Sequence, residues 1–213
     1  MELLIGRDIS KLYGMRPVLR GASLTLQAGD FAALLGANGA GKTTLIRTLA
    51  TLMRPDRGEI HICQTDALAQ PDRARRFIGA VLHQPMLYPD LSARENLEFH
   101  ARLHQLPAEH FGRIESLLAE VELSKRARDR VRTFSRGMQQ RLTIARVLLH
   151  QPKVLLLDEP FTGLDQHSAD ILSNLLNRHA QGGAAILMAT HELGRGMGGV
   201  TRRIVMEGGK VTG

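Results

Sequence analysis

The segment Gly36-Ala37-Asn38-Gly39-Ala40-Gly41-Lys42-Thr43 constrains this chain more than any other. It joins an apolar, strand-like run, Phe31 to Leu35, to a stretch with helical patterning from Lys42 to Thr51. The spacing is that of a phosphate-binding loop. Glycines let successive backbone N–H groups curl round phosphate oxygens, Lys42 reaches the β- and γ-phosphates, and the Thr43 hydroxyl stands where it can ligate Mg²⁺. The helix that follows adds the positive end of its dipole to the same anion site. A glycine turn between strand and helix is the plain alternative, and the loop alone leaves kinase, GTPase and helicase all open.

A second element narrows the chemistry. Leu155-Leu156-Leu157 ends in Asp158-Glu159, two acids at the close of an apolar strand. Asp158 fits the carboxylate that holds Mg²⁺ in phosphoryl-transfer sites. Glu159 is the next residue, so its side chain points elsewhere, where it could take a proton from an attacking water.

The remaining patterning predicts an α/β fold of one domain, 1–213. Alternation from Val18 to Leu26 reads as antiparallel strands before the loop, with a turn at Arg54 to Gly58 and short strands at Glu59 to Cys63 and Phe77 to Leu82. From His83 to Gln151 the pattern becomes helix after helix. Ser92-Ala93-Arg94-Glu95 is a capping box, a second helix runs from Pro107 to Val121, and Ser135 opens a third that ends before Pro152. The runs Val154 to Leu157 and Ala184 to Ala189 suit strands buried on both faces of a parallel sheet, with a helix near 168–179 between them. The expected architecture is an N-terminal antiparallel β layer, a nucleotide-binding core from 1–83 and 152–213, and a helical insertion at about 84–151. Gly194, Gly196, Gly198 and Gly199 should leave any helix there short or frayed.

Composition excludes several classes. A hydrophobic content of 43% argues against a disordered or fibrous chain, and no apolar run approaches the roughly 18 residues that cross a bilayer. Met1-Glu2-Leu3-Leu4 lacks the basic start and apolar core of a secretory signal, so a cytosolic protein is expected. Cys63 is the single cysteine, which rules out an intrachain disulfide or a cysteine-rich metal site. The net charge of +7 invites a polyanion, and Lys125, Arg126, Arg128, Arg130, Arg132 and Arg136 crowd one stretch. With no Trp and two Tyr to stack on bases, that stretch reads as a solvated face, and no nucleic acid is expected. His100 and His104, one helical turn apart, could bind a metal. No carboxylate or cysteine set stands beside them, and an exposed helix face is the preferred reading.

Together the motifs resemble those of ABC ATPases, over essentially the whole chain. Thr133-Phe134-Ser135-Arg136-Gly137-Met138-Gln139-Gln140-Arg141 is similar to the family's signature motif, and Gln84, Gly163-Leu164-Asp165 and His191 to its Q-loop, D-loop and switch histidine. The resemblance implies that the fold is a P-loop NTPase core of ABC ATPase type and that the chain hydrolyses ATP with Mg²⁺. It also implies that Tyr13 stacks on adenine, that the loop from Gly36 to Thr44 (Gly36, Ala37, Asn38, Gly39, Ala40, Gly41, Lys42, Thr43 and Thr44) cradles the phosphates, and that Gln84 touches Mg²⁺ and the attacking water. Glu159 is then the general base, His191 contacts the γ-phosphate, and the D-loop's Asp165 belongs to the nucleotide site. Ser135 and Gly137 would act in trans on ATP held by a second copy of the chain. The signature departs from Leu-Ser-Gly-Gly-Gln: with Ser135 and Gly137 kept, Arg136 replaces one of the two glycines and Met138 the glutamine.

One cassette with no membrane segment implies a peripheral subunit at the cytoplasmic face of the inner membrane, with integral membrane transporter partners docking near Gln84 and Pro85-Met86-Leu87-Tyr88-Pro89. Soluble relatives in translation or DNA repair carry a second cassette or long insertions, which this sequence lacks. Ile78-Gly79, His83-Gln84-Pro85, Glu95-Asn96-Leu97-Glu98-Phe99, the run from Asp158 to Asp165, and Gln181-Gly182-Gly183 before Thr190-His191 are similar to heme-export subunits of cytochrome c maturation. A short chain ending soon after a last strand at 203–206 suits that subunit too, and drug- or polysaccharide-type export is the alternative.

Overall fold

The structure, a computed structural model, describes residues 1–82, 84–191 and 197–212, without the side chains of Glu109, His110 and Met197. Two sheets form from strands that the patterning largely anticipates. The antiparallel sheet joins β1 (Glu2–Tyr13), β2 (Arg16–Gln27), β4 (Arg57–Ile62) and β5 (Thr65–Asp66) in the order β2-β1-β4-β5. The second sheet has the order β10-β9-β3-β8-β7-β6, from β3 (Phe31–Leu35), β6 (Ile78–Val81), β7 (Val154–Asp158), β8 (Ala185–Thr190), β9 (Arg202–Glu207) and β10 (Lys210–Thr212). Its strands pair in parallel except β10, which lies antiparallel on β9. The last strand is therefore β10 and not the one at 203–206: Gly208 and Gly209, both at positive φ, turn the chain back at once. Such a two-residue glycine turn is a hairpin signal that the sequence carries.

Strand periodicity sorts the core into two sides. Leu155 and Leu157 of β7, with Ile186 and Met188 of β8, pack against the helical cluster around Leu97, Leu118, Leu142 and Leu148. Val154 and Leu156, with Ala185 and Leu187, pack against the cluster of α1 (Lys42–Leu49) and the antiparallel sheet. Every one of these side chains is buried, the reason the strands read as continuous apolar runs.

The helical insertion holds α3 (Ala93–Leu103), α4 (Ala108–Glu120) and α5 (Arg136–Leu148). The capping box is formed: the Ser92 hydroxyl accepts from the Glu95 N–H at 3.2 Å and the Glu95 carboxylate accepts from the Ser92 N–H at 2.7 Å. Pro107 sits at the N-cap of α4, one position ahead of the expected first turn. α6 (Gln166–Gln181) is longer than the 168–179 reading, because Asp165 caps it two residues earlier. A five-residue α2 (Pro71–Arg75) was not expected; its Pro at the first turn is the legible signal. Gly198 and Gly199 lie in a three-residue 3-10 turn, Met197–Gly199, as glycine content implies, whereas Gly194 and Gly196, like His83, fall outside the described residues.

The exposed-face reading holds for His104, whereas His100 is half-buried. Their ring centroids lie 4.2 Å apart, and the His104 ring stacks on His150 at 5.6 Å. Burial, with the Arg146 charge beside it, pushes the His100 imidazole down to about 3, and the same causes lower His104. Among the described residues no group of three His, Cys, Asp or Glu side chains is arranged to hold a metal, and no helix is long and apolar enough to cross a membrane.

Candidate active site

The carboxyl ends of β3, β7 and β8 meet in one crevice, the usual ligand position of an open α/β sheet. β3 leads into the loop from Gly36 to Gly41. Gly39 (φ 82°) and Gly41 (φ 109°) lie in the left-handed region, and a Cβ on Gly36 would run into the Met206 carbonyl oxygen. Gly41 is the N-cap of α1 and offers no side chain, so the first N–H groups of the helix are left for an incoming anion. Lys42 is buried, and its Nζ donates to the carbonyls of Gly36 at 2.7 Å and Ala37 at 3.2 Å. The ammonium thus lies along the loop it is expected to serve.

Asp158 ends β7 on the face of Val154 and Leu156, the side that packs on α1. It therefore meets Thr43, whose Oγ1 donates to Asp158 Oδ1 at 3.2 Å. A hydroxyl and a carboxylate at this separation are hard oxygen donors of the kind Mg²⁺ prefers, so the residues present fit that ion.

Glu159 leaves the strand register altogether. Its φ is 53°, a left-handed conformation for a side chain that rarely adopts it, and its N–H donates to the Ala189 carbonyl at 3.0 Å. This turn brings Glu159 Oε1 to 2.8 Å from His191 Nδ1 at the end of β8, while Oε2 accepts from the Thr162 hydroxyl at 3.3 Å. A cleft of about 580 Å³ opens over these groups, walled by Tyr13, Asn38, Lys42, Thr43, Glu159 and His191. Tyr13 is 49% exposed, with its hydroxyl donating to Met53 Sδ at 3.3 Å, which leaves the ring available to stack.

The other expected site residues stand apart from this cleft. Gln84 is exposed in the loop between β6 and α3 and belongs to the lining of neither this cleft nor the adjoining one of about 330 Å³, where Leu82 and Pro85 flank it. Ser135 is the N-cap of α5, accepting from the Met138 N–H at 3.3 Å. Gly137 is buried against α6, where a Cβ would fall 2.6 Å from Ser168 Oγ. Asp165 caps α6 by accepting from the Ser168 N–H at 2.7 Å, and that bond holds its carboxyl below the usual range. Thr162, whose hydroxyl holds the Glu159 carboxylate, is not singled out by the sequence reading. Its partner is set by a turn whose course the sequence does not specify.

These features define a P-loop nucleotide-binding cassette. The chain belongs to the ABC transporter family, whose model matches residues 19–162. Among curated relatives, a daunorubicin resistance ATP-binding protein of Streptomyces coeruleorubidus is 37% identical over 94% of this chain and 64% of its own length. A Nod factor export ATP-binding protein of Burkholderia lata is 38% identical over 87% of this chain and 61% of its own. The chain thus spans less than two thirds of either relative. Among solved structures, the dimeric ATP-binding cassette MJ0796 in a post-hydrolysis state with ADP and Pi superposes with a TM-score of 0.88 at 27% identity, covering 99% of this chain and 97% of that one.

Proposed function

We propose that the chain is the ATP-hydrolysing subunit of an ABC exporter, working as a pair of copies beneath integral membrane partners. The observation that carries this is the gathering of Lys42, Thr43, Glu159 and His191 from three strand ends around one cleft, with Asp158 bonded to Thr43 behind it. Lys42 and the free N–H groups of α1 bind the phosphates, and Tyr13 receives the base. Thr43 and Asp158 would hold Mg²⁺, which offsets the charge that develops on the phosphates. Glu159, held by His191 and Thr162, accepts a proton from the attacking water, and His191 is placed to meet the γ-phosphate. Ser135, at the exposed start of α5, offers a hydroxyl and a helix N-terminus to the nucleotide of a second copy, an arrangement that the dimeric cassette relative supports.

Met86, Tyr88, Phe99 and Leu103 are exposed apolar side chains on or shortly before α3, with the Tyr88 and Phe99 rings 4.8 Å apart, and the segment from Pro85 to Pro89 that supplies two of them is the proposed contact with the membrane partners. That contact would keep the subunit peripheral, at the cytoplasmic face. For the cargo, drug- or polysaccharide-type export takes precedence over heme, because the relatives are named for daunorubicin resistance and Nod factor export and neither for heme. Heme rests only on the sequence stretches that resemble heme-export subunits. The test is Glu159→Gln: ATP binding should persist, an ATP-bound dimer should accumulate on size exclusion, and hydrolysis should fall by about 10²- to 10⁴-fold. Hydrolysis at the normal rate would falsify the general-base assignment.

A further inference from the structure

Arg136 stands where the family pattern has glycine, at the first position of α5, where the helix dipole disfavours a cation. Its side chain has a specific place. Gly163, at φ 74°, lies directly beneath it: a Cβ at position 163 would be 2.7 Å from both Cζ and Nη1 of Arg136. The guanidinium therefore lies on the backbone of the turn from Pro160 to Asp165, filling the space that any other residue at 163 would claim. It also walls the cleft of about 330 Å³ that Asp158, Glu159 and Thr162 share on their far side.

One further bond joins the same helix turn to the same segment, and a close packing joins it to the start of α6 just beyond. Gln140 Nε2 donates to the Pro160 carbonyl at 3.0 Å, and Gly137 packs against Ser168 Oγ. The segment so fastened carries Thr162, whose hydroxyl donates to Glu159 Oε2. We propose that Arg136 is a positioning residue for its own chain: its guanidinium, laid on Gly163, clamps the start of α5 to the Pro160–Asp165 turn and so sets the Glu159 carboxylate in cis. This rests on the hydrolytic reading above, but it places Arg136 on its own chain's turn and not on the partner's nucleotide. Movement of α5 would then be passed to the catalytic carboxylate through a planar group, which a lysine cannot supply.

The test uses the full chain. Arg136→Gly is expected to lower kcat about tenfold while KM for ATP stays within about twofold, and Arg136→Lys is expected not to restore kcat. Amide exchange at 161–165 should quicken in Arg136→Gly while α1 keeps its protection. Pairing separates cis from trans. When Arg136→Gly chains pair with Glu159→Gln chains, the competent carboxylate lies in the chain lacking Arg136, and turnover should stay slow. When one chain carries both changes and its partner neither, turnover should return to about half of wild type. The reverse pattern assigns Arg136 to the partner's nucleotide and overturns the proposal, as does unchanged exchange at 161–165. A wild-type chain that fails to hydrolyse ATP counts against the hydrolytic reading instead, and the exchange measurement still decides the clamp.

Discussion

At the scale of single residues, function here depends on side chains held in uncommon positions. Lys42 is buried with its charge turned onto two loop carbonyls, so in the proposed role it would meet a phosphate by exchanging those partners and not by ordering a free chain. Lys42→Ala should weaken ATP binding by roughly ten- to a hundredfold, the scale of a charge-assisted hydrogen bond, as titration calorimetry would read. Unchanged affinity would contradict the phosphate role. Glu159 shows the converse: its left-handed backbone was invisible in the sequence, where Asp-Glu after four apolar residues reveals the acids but not their directions. The identity of both acids was legible; the bonds from His191 and Thr162 were not, because each comes from a different loop.

At the scale of elements, the helical insertion is fixed by its caps and strained by its histidines. Ser92→Ala removes the reciprocal cap of α3 and should cost about 1 kcal/mol, seen as a lower midpoint in urea with an unchanged slope. The cluster of His100, His104 and His150 gives a pH dependence with a definite sign. His100 is lowered in the folded chain from 6.5 to about 3, so below pH 6.5 the unfolded chain binds a proton that the folded chain refuses. Stability should fall as pH drops from 6.5 toward 3, by at most about 1.4 kcal/mol per pH unit for this group before solvent screening is allowed for. His104 and His179, lowered by burial as well, act in the same direction. Thermal melts at pH 7 and pH 5 should therefore differ, and His100→Gln should reduce the difference; an unchanged slope would show that the ring is not buried from protons. The i, i+4 spacing of His100 and His104 was readable, but the third ring, His150, arrives from beyond α5 and stacks on the exposed His104.

At the scale of the whole molecule, the cleft holds only part of the expected site. Ser135 opens α5 at the surface and belongs to neither described cleft of its own chain. Action in trans then predicts complementation: Ser135→Ala chains mixed with Lys42→Ala chains should be more active than either alone, since one composite site in each mixed pair keeps both halves. A mixture no better than its components would leave Ser135 with only its capping role. The sequence by itself determined the loop, the acids, the capped helices and the order of the motifs, because glycine conformations, cap hydroxyls and strand periodicity are local properties of the chain. Tertiary structure alone decided that Thr43 meets Asp158, that Glu159 turns to His191, that His104 stacks on His150, and that Arg136 lies on Gly163. Each of these joins residues far apart in sequence or depends on a backbone turn; the first two distances follow from how strands β3, β7 and β8 pack side by side and the others from how the helices pack, which no local pattern records.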